Sequence, residues 1–288
     1  MAAAFDAGDD GDGDDGVRAL LESLARLDRL LVAFSGGTDS AFLLAAAVRA
    51  LGSDQVVAAT AVSPSLPAAE LAAAAEFAAG FGVRHEMPHT DEMSRAGYRA
   101  NAGDRCYFCK AELLDTLRPL ADGLGIEHIA TGTNADDALA GFRPGIRAAA
   151  ERAALTPLLE AGLSKAAVRA ASRAWGLATW DKPAAACLSS RLAFGIEVSP
   201  ARLARVELAE TLARQALSRA GLPVTNLRVR DLGDLARIEV DAEYAAAAAV
   251  SDVVAVVLTA GFPAGYVDPA GFRSGSLNEL LDEPAKWR

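Results

Sequence analysis

The sequence predicts an α/β protein in which a parallel sheet is flanked by helices and followed by a smaller α+β domain. Three observations carry this. Strand-like and helix-like segments alternate from about residue 17, and the first apolar strand, Leu30 to Phe34, runs straight into a glycine turn and a helix. After about residue 180 the alternation gives way to one long helix followed by closely spaced strands. The domain boundaries expected from this are an acidic, disordered tail over 1–16, a sheet domain over 17–182 and an α+β domain over 183–288, with "DKPAAACLSSRLAFG" as the crossing segment.

Taken in order, apolar residues at three- and four-residue spacing predict helices over 17–27, 40–51 and 67–81, the last with Pro67 near its first turn. Short apolar runs predict strands over 30–34, 55–62, 83–87 and 126–131. Helices are expected over 109–124 and 164–175, with Ser164 as the N-cap of the second. In the second domain Ser199 opens a helix that runs to about 220. Strands over 224–230 and 235–240, a helix over 242–259 and a short strand over 264–267 complete it. No internal repeat is visible.

Composition narrows the function. With 288 residues, 52% of them hydrophobic, the chain can bury a sizeable core. A net charge of −10 argues against a general grip on a nucleic-acid backbone and for a small, individually docked ligand. The N-terminus has no basic region followed by an apolar stretch, so no secretory signal is expected. Its Asp/Gly run lacks a glutamate at the twelfth position from Asp10, where a calcium loop needs one. The most apolar later segment, Tyr244 to Phe262, is interrupted by Asp252 and reads as a core helix, not a membrane span. No nucleic-acid or membrane partner is expected. Cytoplasm is the default location, and three cysteines do not suggest a disulfide framework.

The stretch "AFSGGTDS" joins a strand to a helix, and the amides at a helix start, with the helix dipole behind them, favour an anion. Gly36 and Gly37 let backbone approach a phosphate, and Ser35 and Ser40 add hydroxyls. A glycine turn capped by a hydroxyl and holding no ligand is the plain structural alternative. Asp39 beside a phosphate cradle calls for Mg²⁺ between the two; otherwise it is an aspartate favoured by a helix start. The pattern lacks the lysine of a Walker loop. It resembles the pyrophosphate loop (PP-loop) of the N-type ATP pyrophosphatases, and that resemblance implies ATP. Thr133, Asn134 and Asp137 follow the fourth strand at the carboxyl end of the sheet, where nucleotide or Mg²⁺ would bind, or they form an Asx-type turn.

Cys106 and Cys109 in "GDRCYFCK" and Cys187 in "AAACLSSR" are read as loop residues with polar flanks. Arg105 and Lys110 beside the pair favour thiolate. Three thiolates can hold three corners of a [4Fe-4S] cluster and leave one iron open. Zinc with a histidine, or a Cys106–Cys109 redox disulfide, are the alternatives. His85, His89 and His128 show no paired spacing with the cysteines and read as structural. Arg228 and Arg230 alternate on a strand, which puts both side chains on one face suited to an anion; a solvated sheet face is the plain alternative for each.

The set "AFSGGTDS", "CYFCK", "TGTNADD" with "FRPG", "CLSSR", "RVR" near "ARIE", and "GFRSGSLN" resembles the LarE family over nearly the whole chain, from about Arg18 to Leu280. These are ATP-dependent sulfur transferases of nickel-pincer nucleotide biosynthesis. The resemblance implies adenylation of the carboxylates of pyridinium-3,5-biscarboxylic acid mononucleotide and their conversion to thiocarboxylates. It implies ATP-binding residues at Ser35, Gly36, Gly37, Asp39, Ser40, Thr133 and Asn134, and a substrate-phosphate site at Ser190, Arg191, Arg228 and Arg230. Asp39, Asp137 and Glu210 are implied as Mg²⁺ ligands. Some members of the family surrender the sulfur of a cysteine, which would align with Ala186 here; with Cys106, Cys109 and Cys187 present, this chain resembles the type that relays sulfide on a [4Fe-4S] cluster. Expected partners are the nucleotide substrate, sulfide or a sulfur donor, and further copies of the chain in a homo-oligomer. A cluster-dependent tRNA thiolase and a non-catalytic ATP and cluster sensor are the competing readings.

Overall fold

The computed structural model describes residues 11–139, 144–183 and 186–280. Most of the expected acidic tail (1–10), Phe142 and Arg143 of "FRPG", and two alanines of the crossing segment lie outside them. The chain divides into two compact units, and the second is discontinuous. Residues 64–67 and 92–105 join 186–288 in it, and the rest forms the first.

In the first unit α1 (Gly11–Leu24) precedes β1 (Leu30–Ala33), α2 (Thr38–Leu51), β2 (Val56–Ala59), α3 (Ala68–Gly80) and β3 (Arg84–Glu86). After α4 (Ala96–Arg99), which belongs to the second unit, come α5 (Arg105–Gly123), β4 (His128–Thr131), α6 (Ala135–Leu139), α7 (Pro144–Ala150), α8 (Pro157–Glu160) and α9 (Lys165–Ala174). The four strands form one parallel sheet in the order β3-β2-β1-β4. Every residue of β1 and β2 is buried, as a sheet covered on both faces requires. Alternation divides them: Leu30 and Val32 pack with Leu20, Phe42, Leu44 and Val168, whereas Leu31 and Ala33 pack with Leu114, Leu117 and Ala121 of α5. Because the chain leaves β1 towards β2 and returns on its other side as β4, the strand order reverses there, and the crevice beyond the carboxyl ends of β1 and β4 is the ligand position of such sheets.

In the second unit α10 (Pro200–Arg219) is followed by β5 (Leu227–Asp231), β6 (Leu235–Val240), α11 (Ala245–Ala249), α12 (Val253–Leu258) and β7 (Ala264–Val267). β5 and β6 are antiparallel, β6 and β7 parallel. Ser199 caps α10 by accepting from the Arg202 amide at 3.4 Å. Among the described residues no helix is long and apolar enough to cross a membrane.

Four departures from the sequence reading have physical causes. The helix expected from residue 17 begins at Gly11. An acidic stretch that reads as coil is also what the positive pole of a helix favours. Asp15 there accepts from Arg18 at 2.7 Å. The helix expected over 242–259 is broken between α11 and α12. At the break the Ser251 hydroxyl donates to the Ala248 carbonyl at 2.7 Å and accepts from the Val253 amide at 3.2 Å, replacing helical bonds. Cys106 and Cys109 are not in a loop but in the first two turns of α5. The helix starts early because Arg105 is buried and donates to Asn101 Oδ1 and to the Ser189 carbonyl. The short helices α4, α6, α7 and α8 were not expected, being too brief to show a period.

Candidate active site

The turn after β1 is built by its glycines and serines. Gly36 lies at φ +70°, where a side chain is strained. A Cβ there would stand 3.1 Å from the Ala74 Cβ of α3. Ser40 is buried; its hydroxyl bonds the Gly37 carbonyl at 3.1 Å, the Ser35 hydroxyl at 3.0 Å and the Ser35 amide at 3.2 Å. Ser40 thus shapes the loop, while Ser35 is exposed at its mouth. From the other side of the crevice, Gly132 packs so closely that a Cβ would lie 2.8 Å from the Ser40 amide nitrogen. The first amides of α2 have no carbonyl one turn back, so the loop presents donors and positive potential.

Asp39 stands beside them. Its Oδ2 accepts from Lys165 Nζ, and its Oδ1 is buried with no hydrogen-bond partner. Lys182 Nζ donates to the Gly36 carbonyl at 2.9 Å and to Glu70 Oε2 at 2.7 Å. Thr38 donates to the Thr179 carbonyl at 2.8 Å. Lys165, Lys182 and Glu70 were missed by sequence reasoning. A lysine at the first position of a helix, against the helix dipole, was the one signal that could have found Lys165.

After β4, Asn134 and Asp137 cap α6 reciprocally: the Asp137 amide donates to Asn134 Oδ1 and the Asn134 amide to Asp137 Oδ2, each at 3.2 Å. Thr133 shares a 3.1 Å hydroxyl contact with Thr131. The thiols of Cys106 and Cys109 sit near Lys110. Burial pulls its ammonium below the usual range, and Cys109, Cys106 and Asp137 oppose that shift. His85 has a structural bond, 2.8 Å to Thr60.

In the second unit the structure brings Ser190, Arg191, Arg228 and Arg230 together. Cys187 precedes a 3₁₀ turn over Leu188–Arg191, and its carbonyl accepts from Ser190 Oγ at 2.7 Å and from Arg191 at 2.9 Å. Arg191 is held by Glu210 through bonds of 2.9 and 3.2 Å, and Glu210 also accepts from the Val229 amide at 3.1 Å. Both oxygens of this expected metal ligand are therefore engaged by the protein. Arg230 donates to the fully buried Glu239 at 2.8 Å and to the Ser190 carbonyl at 3.2 Å. Glu239 also receives Arg237 at 2.9 Å and Ser276 at 2.8 Å, so the "GFRSGSLN" motif supports this cluster through Ser276. Burial first, then the charges of Arg191, Arg230 and Arg214, hold the Arg228 pKa down to about 10, with Glu210 opposing. Around Arg228, Arg191 is paired with Glu210 and Arg230 with Glu239, and the remaining positive charge of Arg228 and Arg214 is what an anion would relieve.

The first unit holds Cys106 and Cys109, the second Cys187. Among the described residues no three His, Cys, Asp or Glu side chains gather as a preformed metal site.

No protein-family model matches the chain. It is 42% identical over 266 residues to an uncharacterized protein of Synechocystis sp., across 91% of this chain and 96% of that protein. It is also 33% identical over 264 residues to the pyridinium-3,5-bisthiocarboxylic acid mononucleotide synthase of Lactiplantibacillus plantarum, across 91% of this chain and 93% of the synthase. That likeness runs through both units, and the parallel sheet with its glycine turn agrees with it: the chain belongs to the LarE family.

Proposed function

We propose that the chain is an ATP-dependent sulfurtransferase that adenylates the carboxylates of pyridinium-3,5-biscarboxylic acid mononucleotide and converts them to thiocarboxylates. The single observation that carries this is the 33% identity, over 91% of the chain, to a synthase of the bisthiocarboxylic acid mononucleotide. The glycine loop at the end of β1 and the arginine cluster of the second unit support it, one suited to pyrophosphate and the other to a substrate phosphate.

A carboxylate resists nucleophiles because it is already charged and its oxygens leave poorly. In the first step a substrate carboxylate oxygen bonds the α-phosphorus of ATP while the bond from that phosphorus to pyrophosphate breaks. The loop from Ser35 to Ser40 and the first amides of α2 hold the departing pyrophosphate. In the second step hydrosulfide bonds the carbonyl carbon of the mixed anhydride, and the carbon–oxygen bond to AMP breaks. The second carboxylate undergoes the same two steps, with one ATP and one sulfide for each. Ser190, Arg228 and Arg230 hold the substrate phosphate, and Glu210 presets Arg191 beside them.

Mg²⁺ suits the first unit because Asp39 Oδ1 is a buried acceptor with no partner. Bound by Asp39, it would neutralise charge on the pyrophosphate. Asp137 and Glu210, already engaged, are weaker ligands for it. Cys106, Cys109 and Cys187 match in type and number the protein ligands of a [4Fe-4S] cluster with one open iron, which would supply sulfide to the reaction. Sulfide or a sulfur donor, a homo-oligomer and a cytoplasmic location belong to the same proposal.

The test is anaerobic incubation of the chain with MgATP, sulfide and the biscarboxylate mononucleotide. Pyrophosphate release matching sulfur incorporated, and absent without the mononucleotide, is expected. ATP binding with no pyrophosphate under any condition would overturn the enzyme reading in favour of a sensor.

A further inference from the structure

Two lysines bracket the phosphate loop, and the adenylation chemistry assigns them nothing. Lys165 is the first residue of α9, so its charge stands at the helix's positive pole, where a cation is disfavoured. Its main-chain amide is held by Asp136 Oδ2 at 2.8 Å, which fixes the root of the side chain. From there the ammonium reaches Asp39, 126 residues away in sequence, and donates to Oδ2. A placement that opposes the local dipole and is met by a distant carboxylate belongs to the site, not to the helix. The other oxygen of the same carboxylate, Oδ1, is buried and accepts nothing. Lys182 differs: it is anchored on both the Gly36 carbonyl and Glu70, and so braces the loop.

Charge decides the outcome when a polyphosphate arrives. Asp39 repels it unless a cation intervenes, and an ammonium and a divalent ion compete for the same carboxylate. Resting on the ATP reading, we infer that Lys165 is an exchangeable counter-cation of this loop: it neutralises Asp39 while the loop is empty, and on binding it yields Asp39 to the metal and passes to a phosphate oxygen. Asp39 has a cationic partner both before and after the exchange. It also makes Lys165 an opponent of the free metal and an ally of the metal–phosphate complex.

That opposition of sign is the test. With the full chain, Mn²⁺ binding is measured by its paramagnetic signal without nucleotide, and Mg²⁺-pyrophosphate binding by calorimetry. Lys165→Met is expected to tighten Mn²⁺ roughly tenfold and to weaken Mg²⁺-pyrophosphate roughly tenfold, each the size of one charge-assisted hydrogen bond. Lys165→Arg, which keeps the charge, should hold both within about threefold. A lysine that merely supports the fold would weaken both together. Equal movement in one direction, or no movement, in Lys165→Met with native circular dichroism would overturn the inference; if that variant fails to fold, Lys165→Gln carries the same comparison. A wild-type chain that binds neither pyrophosphate nor ATP would instead overturn the adenylation reading itself.

Discussion

Gly36→Ala probes the glycine loop after β1 through two separable terms. Gly36 sits at φ +70°. Holding an alanine in that left-handed region costs about 1–2 kcal/mol. The added Cβ would stand 3.1 Å from the Ala74 Cβ, closer than the roughly 3.5–4.0 Å optimum for two carbons. Ala74 is fully buried in α3, so the contact resists relaxation. It adds about 1 kcal/mol, the low end of overpacking. The sum is about 2–3 kcal/mol. Ala74→Gly removes the contact but not the strained φ; alone it costs about 1 kcal/mol for a glycine within a helix. The double variant should therefore be more stable than the two single effects predict by about 1 kcal/mol, the coupling expected of residues in contact. Urea unfolding monitored by fluorescence reports on this unit, since Trp175 packs against Phe42 with ring centroids 4.7 Å apart. Because the strain falls on the loop, ATP affinity should drop roughly tenfold or more, as one lost charge-assisted bond would give. A Gly36→Ala protein within about 0.5 kcal/mol of wild type, binding ATP normally, would refute the reading of this turn as a conformation only glycine supplies.

Glu239→Ala leaves buried Arg230 without a carboxylate and Arg237 with only a 3.8 Å contact to Asp268. It should cost about 3–5 kcal/mol in chemical denaturation. Glu279→Ala breaks only the exposed pair with Arg273. It should cost under about 1 kcal/mol, and equal losses in the two variants would contradict the assignment. Arg228 has a folded pKa of about 10, below the ordinary arginine value. The folded state is thus penalised while Arg228 is protonated, and the penalty is relieved as pH rises past the folded pKa while the unfolded arginine keeps its proton. Wild type should gain stability relative to Arg228→Met as pH rises above about 10. Inorganic phosphate should raise the Tm of the wild-type chain and leave that of Arg228→Met unchanged. Anaerobically purified wild type should show the visible absorbance of an iron–sulfur cluster, and Cys106→Ala should lack it while keeping its ATP affinity; full activity with sulfide in that variant would contradict the ligand set. Intact polypeptide mass should not change over many turnovers, whereas a loss of roughly 34 Da, one H₂S, would mark a cysteine consumed as the sulfur source.

How much of this was legible in the chain depends on the range of the interaction concerned. The strand, glycine turn and helix from Leu30 to Leu51 were readable because apolar spacing and the need for φ above zero are local properties. Arg228 and Arg230 were readable as a pair because alternation along a strand is local too. Their environment was not: Glu239 lies on the neighbouring strand β6, and Ser276 reaches it from further along the chain. Cys106 and Cys109 read as loop because the buried contacts of Arg105 that start α5 early come from Asn101 and Ser189. The break at Ser251 escaped notice because the flanking alanines and valines read as one apolar helix.

By itself, then, the sequence determined the order of the strands and of the long helices, the glycine turn after the first strand and the family motifs, all of which rest on neighbours a few residues apart. Tertiary structure alone decided that Asp39 meets Lys165, that Gly36 is braced by Lys182 and Glu70, and that Arg230 and Arg237 share Glu239 while Arg191 takes Glu210. The reason is physical: a charged side chain's partner is set by which chain segments converge at the carboxyl edge of a sheet or across a strand pair, and a linear pattern carries no distance between segments remote from one another in the chain.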